Sequence, residues 1–309
     1  MSAALAASVE VAIGTAGAGH RYGDFWALRD CNLSLPAGSI TAVVGPNGAG
    51  KTTLLNMLVG LLPASEGQLC VVGEQPSSSP AFLARVGFLA QECPLYREFR
   101  VADLVRFGRA MNPGWDDTLA RTRLAAAEVP LERRAGKLSG GQRAQVALAL
   151  AVAKQPQVLL LDEPLAALDP LARRDFLKNL LASATATEMT VVLSSHLVGD
   201  LARVCDQLVV IRDGRVRLSG EIDRILGEHR WVSGAPDKTS RLPAGVEVIT
   251  ETHHDRHNAL LVRSRQALIN PALTLNPVDL EDLVLAYLER PAPSAGVKSA
   301  RLSQEAGQR

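Results

Sequence analysis

The chain carries almost no excess of either charge: 33 lysines and arginines face 32 aspartates and glutamates across 309 residues, a formal net charge of +1. Such balance gives no global pull toward nucleic acid or an anionic lipid surface, so no nucleic-acid partner is expected. Long apolar runs are missing as well. A membrane-spanning helix needs about 18 or more apolar residues in succession, and the longest stretches here, such as residues 146–153, end at charged or polar positions. Cysteine is sparse. Cys31, Cys70, Cys93 and Cys205 have neither metal-site spacing nor disulfide-scaffold density, and read as reduced, mostly core residues of a cytosolic protein. The alanine-rich start, residues 1–8, lacks the basic segment of a secretion signal and meets Glu10 early. What remains is ordinary globular composition, 47% hydrophobic and 21% charged, long enough for one large domain plus an appendage.

Against this plain background, Gly45-Pro46-Asn47-Gly48-Ala49-Gly50-Lys51-Thr52 matches the four fixed positions of a phosphate-cradling P-loop. Residues 39–44 before it are uncharged and rich in β-branched residues, as in a buried strand, and residues 51–58 after it have helical periodicity. Glycines let successive backbone N–H groups approach phosphate oxygens, and the helix N-terminus adds its positive end. Lys51 is expected on the β- and γ-phosphates, the Thr52 hydroxyl on Mg²⁺, and Thr53 on the α-phosphate.

A second glycine-rich element, Leu138-Ser139-Gly140-Gly141-Gln142, precedes a run of strong helix formers, residues 143–151. Ser139 suits an N-cap, and such a helix start offers free N–H groups and a hydroxyl to an anion. Further on, residues 158–161 form an apolar run ending in Asp162-Glu163-Pro164. A buried parallel strand reads this way, with its carboxylates at the C-terminal end, where open α/β sheets bind ligands. Asp162 suits Mg²⁺, which keeps several waters and takes one or two carboxylates. Glu163 suits general-base help to an attacking water, a contribution of roughly 10²–10⁴ in rate. Alone, the acidic pair reads equally well as a solvated strand end; the P-loop favours the site.

Taken together, these residues resemble the nucleotide-binding subunits of ABC transporters, and the resemblance runs to about residue 225. It implies an α/β fold: a P-loop NTPase core of ABC type with an antiparallel β layer and an inserted helical subdomain, plus a small α+β C-terminal extension. Tyr22 stands where the family has an adenine-stacking ring, although Phe25 or Trp26 would serve instead, and packing explains all three. Gln91 matches the glutamine that touches Mg²⁺ and the attacking water, Leu168-Asp169 the dimer-crossing loop, and His196 the histidine on the γ-phosphate. The resemblance implies that ATP lies against Lys51, Thr52, Gln91, Asp162, Glu163 and His196 of one subunit. Ser139, Gly140 and Gly141 of a second subunit, identical or not, would cap the γ-phosphate, with Gln142 and Asp169 nearby. The implied partners are that second ATPase subunit and separate transmembrane permease subunits, at the cytoplasmic face of the membrane.

The expected boundaries are an ATPase domain over residues 1–228, with a helical subdomain at about 92–155, an extension over 229–290 and a disordered tail over 291–309. Asn112-Pro113-Gly114-Trp115-Asp116 resembles a motif of a bacterial subgroup associated with export-type permeases, which points to export; a Pro-Gly turn anchored by a packed tryptophan explains it equally well. His253, His254 and His257 cluster in a strand-loop-strand context without a supporting cysteine or well-placed carboxylate, and read as a solvated loop rather than a metal site. A soluble ABC-type ATPase with a non-membrane partner, as in cofactor assembly, remains the alternative. A nucleotide-sensing module without hydrolysis fits poorly with the presence of both Glu163 and His196.

Overall fold

Alternating apolar and polar side chains near the N-terminus form β1 (Val11–Tyr22) and β2 (Phe25–Pro36) of the computed structural model, which describes residues 10–239, 242–243, 245–253, 258–266 and 273–290. The strands β3 (Ile40–Val44), β4 (Glu66–Val71), β5 (Val86–Leu89), β6 (Val158–Leu161), β7 (Thr190–Ser195), β8 (Gln207–Arg212) and β9 (Arg215–Glu221) follow. β4 joins the first two in an antiparallel layer of order β2-β1-β4. The others form a six-stranded sheet of order β5-β6-β7-β3-β8-β9, parallel except for β9. The Asp213-Gly214 turn between β8 and β9 has φ values of 52° and 68°, the left-handed pair that a two-residue hairpin requires.

Strand periodicity divides the interior into two cores. Val43, Leu160, Val192 and Val209 face the antiparallel layer with Ile13, Leu28 and Leu54, while their neighbours Val44, Leu161, Leu193 and Val210 face Phe176 and Leu180 on the other side. With both faces covered, the parallel strands are continuous apolar runs rather than alternating ones.

The helices are α1 (Lys51–Leu58), α2 (Pro80–Arg85), α3 (Val101–Met111), α4 (Asp117–Ala126), α5 (Gly140–Ala153), α6 (Pro170–Thr187), α7 (Ile222–Glu228), α8 (Pro236–Thr239) and α9 (Leu280–Glu289). Between β5 and β6, α3, α4 and α5 enclose a core of their own around Val105, Leu124 and Val146. The C-terminal part adds an antiparallel sheet of order β11-β12-β10-β13, built from β10 (His229–Gly234), β11 (Glu247–His253), β12 (Asn258–Arg263) and β13 (Thr274–Pro277). It is not a loose appendage: Ile249, Leu261, Leu283 and Val284 are buried in the same cluster as Leu208 and Leu218 of the main sheet. The tail expected over 291–309 and the alanine-rich start lie outside the described residues.

One buried polar pair ties this extension together. His229 is fully buried; its Nδ1 lies 2.7 Å from the Ile225 carbonyl and its Nε2 2.9 Å from the Tyr287 hydroxyl. A neutral ring satisfies both, with Nδ1–H donating and Nε2 accepting. Burial is the main cause that pushes the imidazole below its ordinary value, and burial likewise raises the Tyr287 hydroxyl to about 12. Because the folded state holds His229 neutral while the unfolded chain protonates it below about pH 6.5, its contribution is intact above that pH and erodes as pH falls toward the depressed folded value. The urea midpoint should therefore fall on acidification below about pH 6.5, with a shallower fall in His229→Gln. Parallel pH profiles for parent and variant would contradict this account.

Candidate nucleotide site

Because β6, β7 and β3 are adjacent and parallel, the loops leaving their C-terminal ends meet on one edge of the sheet. The segment after β3 is the glycine-rich loop. A Cβ on Gly45 would stand 2.2 Å from the Ile211 carbonyl oxygen. Gly50, at φ 107°, would place one 2.5 Å from that of Ala27. Both positions require glycine, one for space and one also for backbone conformation. The loop is thus clamped between β2 and the end of β8, and α1 starts from it at Lys51.

Lys51 is buried and its ammonium turns back over its own loop, donating to the carbonyls of Gly45 (2.7 Å) and Pro46 (3.1 Å). It also lies 3.0 Å from Oε1 of Glu163, as an ion pair without hydrogen-bond alignment. The other carboxylate oxygen, Oε2, is 2.9 Å from Nδ1 of His196. Glu163 is itself buried, and its backbone takes a left-handed φ of 47°, an uncommon conformation for a non-glycine residue, which costs on the order of 1–3 kcal/mol. Behind it, the buried Ser194 hydroxyl donates to Asp162 Oδ1 (2.7 Å) and accepts from the Glu163 backbone N–H (2.8 Å). One serine therefore locks both acidic residues against β7. In the sequence Ser194 is marked only as a hydroxyl near the end of a β-branched apolar strand, residues 190–195.

A cleft of about 390 Å³ opens over this arrangement, lined by Tyr22, Phe25, Ala27, Asn47 to Thr53, Gln91 and Glu163. Tyr22 and Phe25 are both exposed there, and Tyr22 stands edge-on to His20 at 4.6 Å. Trp26, the third candidate ring, does not line the cleft; the guanidinium carbons of Arg29 and Arg21 lie 5.2 and 5.8 Å from its ring centre. Thr52 is exposed in the cleft and Thr53 mostly buried. Asp162 is buried beside Glu163 and accepts from the Ser194 hydroxyl, a buried carboxylate of the donor type that Mg²⁺ takes.

The second glycine-rich element lies apart. Ser139 caps α5 by accepting from the Gln142 N–H (3.1 Å), while the Gln142 side-chain oxygen accepts from the Ser139 N–H (3.2 Å). Gly141, Gln142 and Asp169 line a different cleft of about 570 Å³, where Asp169 caps α6 through the Ala172 N–H (2.9 Å). Among the described residues none lines both clefts. His254 and His257 lie outside the described residues; among those described, no group of three or more His, Cys, Asp or Glu side chains is arranged to hold a metal.

Comparison with known proteins bears on this geometry directly. The family model described as ABC transporter matches residues 28–166, from β2 through the P-loop to just past Glu163. The thiamine import ATP-binding protein ThiQ of Shigella flexneri is 36% identical over 202 residues, covering 63% of this chain and 86% of its own length. This chain belongs to the ABC transporter family of ATP-binding proteins. The sulfate/thiosulfate import ATP-binding protein CysA of Brucella melitensis biotype 1 is a second such relative, 35% identical over 243 residues, 75% of this chain and 68% of its own. Among solved structures, cbiO1 of Clostridium perfringens, part of the ABC transporter complex cbiONQ, superposes with a TM-score of 0.62 at 26% identity, covering 71% of this chain and 92% of that one. A bacterial Atm1-family ABC exporter with ATP bound gives 0.61 at 25% identity, over 70% and 40% respectively. As an ABC ATPase, the chain binds and hydrolyses ATP.

Lys51 is a buried cation lining the P-loop cleft, and the P-loop pattern leads one to expect it on the phosphates of ATP. Lys51→Ala should weaken ATP binding by about tenfold or more, the worth of one charge-assisted hydrogen bond. It should also lower stability, because Glu163 loses its ammonium partner in a buried place. An unchanged nucleotide titration would remove Lys51 from phosphate binding.

Proposed function

We propose that this chain closes on ATP against a second ABC ATPase subunit, and that this closure drives a separate membrane permease from the cytoplasmic face. The observation that carries the reading is the division of the chain into two clefts. One holds the P-loop, Gln91 and Glu163; the other holds Gly141, Gln142 and Asp169, with the exposed Ser139 capping the same helix. Each cleft lacks what the other offers, so two chains in opposed orientation make two complete sites.

Within one such site, the roles follow from the side chains. Tyr22 or Phe25 stacks on the base, a contact worth on the order of 1 kcal/mol or somewhat more. The loop N–H groups and Lys51 hold the phosphates. Asp162 and Thr52, with Gln91, are the residues to hold Mg²⁺, which when bound neutralises phosphate charge. Glu163 takes the proton from the attacking water, and His196, already hydrogen-bonded to Glu163, reaches the γ-phosphate. Ser139, Gly140 and Gly141 of the second subunit cap that phosphate. Losing it removes charge-assisted contacts of roughly 1.5–3 kcal/mol each, enough to reopen the pair.

Motif and kinship diverge on direction. Export was the expectation from residues 112–116, but packing accounts for that stretch: the Trp115 ring lies so close over Gly108 that a Cβ there would collide, and Asp116 caps α4 through the Leu119 N–H. The names of relatives at 35–36% identity support import. We favour import as the direction. Among the described residues no helix is long and apolar enough to cross a membrane, which fits a subunit that relies on a separate permease.

Two measurements test the reading. Mixing Lys51→Ala subunits with Ser139→Arg subunits should recover ATP turnover that neither shows alone, because their heterodimer retains one intact site; no recovery would refute action across an interface. In cells, the chain should sediment with membranes and be released when its permease gene is deleted. Release without effect of that deletion would favour the non-membrane ATPase instead.

A further inference from the structure

His196 immediately follows β7, and residues 197–206 after it contain neither helix nor strand. From Leu197 to Cys205 the backbone is joined only by local turns, such as Leu201 N–H to the Val198 carbonyl (3.0 Å) and Cys205 N–H to the Leu201 carbonyl (3.0 Å), before Asp206 ties its end to the Ile40 carbonyl (2.9 Å) and the Ile222 N–H (2.9 Å). A segment with so few hydrogen bonds takes its position from packing. Leu201 is fully buried and Cys205 nearly so, within the cluster that also holds Leu280, Leu283, Val284 and Tyr287 of α9.

The C-terminal helix thus lies against the segment that carries the histidine. Val198 and Leu288 pack on this same cluster, and a cleft of about 280 Å³ opens along the junction, lined by residues 196–200 and by Glu281, Val284, Leu285 and Leu288. Those four positions, at helical spacing, form one face of α9. Contact is close at one point: the Glu281 carboxylate oxygen lies 3.6 Å from where a Cβ on Gly199 would stand. At its far end α9 is fastened to β10 by the Tyr287 hydroxyl on His229 (2.9 Å).

We propose that α9 is a positioning element for His196: its Glu281–Leu285–Leu288 face braces the segment after the histidine, so that hydrolysis by this ATPase depends on its C-terminal extension. A shift of residues 197–201 would draw the imidazole from the Glu163 carboxylate, 2.9 Å away, without moving the P-loop. The proposal rests on the assignment of His196 to the γ-phosphate.

The test is steady-state ATP hydrolysis by the full chain carrying Leu285→Ala and Leu288→Ala, beside His196→Ala and a conservative pair, Leu285→Met with Leu288→Met. Leu285 is half exposed, so the substitutions spare the deep core. The alanine pair should lower kcat by about fivefold, within the range of remote couplings. Its KM for ATP and its melting temperature should stay near those of the parent, and the methionine pair should restore turnover. An unchanged kcat in the alanine pair beside an inactive His196→Ala would overturn the brace. So would parallel losses of kcat, ATP affinity and stability without methionine rescue, which mark a general packing role. Full turnover by His196→Ala would instead overturn the histidine assignment itself.

Discussion

A buried carboxylate must be paired, and Glu163 is the residue around which this molecule meets that requirement. An uncompensated charge in such a place costs several kcal/mol. Lys51 reaches it from the loop after β3 and His196 from the end of β7, while Ser194 fixes its backbone. Only a sheet that sets β6, β7 and β3 side by side, all running the same way, delivers those groups to one point. The lysine has a second set of partners in the Gly45 and Pro46 carbonyls. A polyphosphate entering the cleft competes with all of these for the same ammonium. Nucleotide binding and the charge environment of the carboxylate are thereby linked through one side chain.

Much of this was legible in the sequence because the informative residues act locally. Strand, loop and helix around Gly45 to Thr52 follow from β-branched residues, glycines and helical periodicity in one continuous stretch. The Asp213-Gly214 hairpin follows from its turn chemistry, and the Ser139–Gln142 capping box from residues three apart. The pairing of Lys51 with Glu163 joins positions far apart in the chain, and nothing in either neighbourhood specifies it. The same holds for Ser194, whose two hydrogen bonds cross to β6. Phe25 and Trp26 illustrate a finer limit: both are rings on β2 close to Tyr22, and only alternation along the strand decides that one lines the cleft while the other lies near two arginines. The extension was harder to read. Its sheet brings β10 between β12 and β13, and its helix shares a core with the main sheet, both contacts that no local pattern encodes.

If two chains share each nucleotide site, as proposed above, the placement of Asp169 lets such a site respond as one. From Glu163 the backbone runs through two turns, Ala166 N–H to the Glu163 carbonyl and Leu168 N–H to that of Leu165, before Asp169 caps α6. Leu165 and Leu168 are buried in the main core, so this short stretch cannot absorb a displacement by bending into solvent. Its far end lies in the cleft that also contains Gly141 and Gln142. On the two-chain reading, a change at the carboxylate is therefore carried by packed backbone to the face that meets the partner's nucleotide. On that reading the coupling needs no long-range pathway, because the proposed catalytic end and the proposed interface end belong to one short, packed connection between β6 and α6.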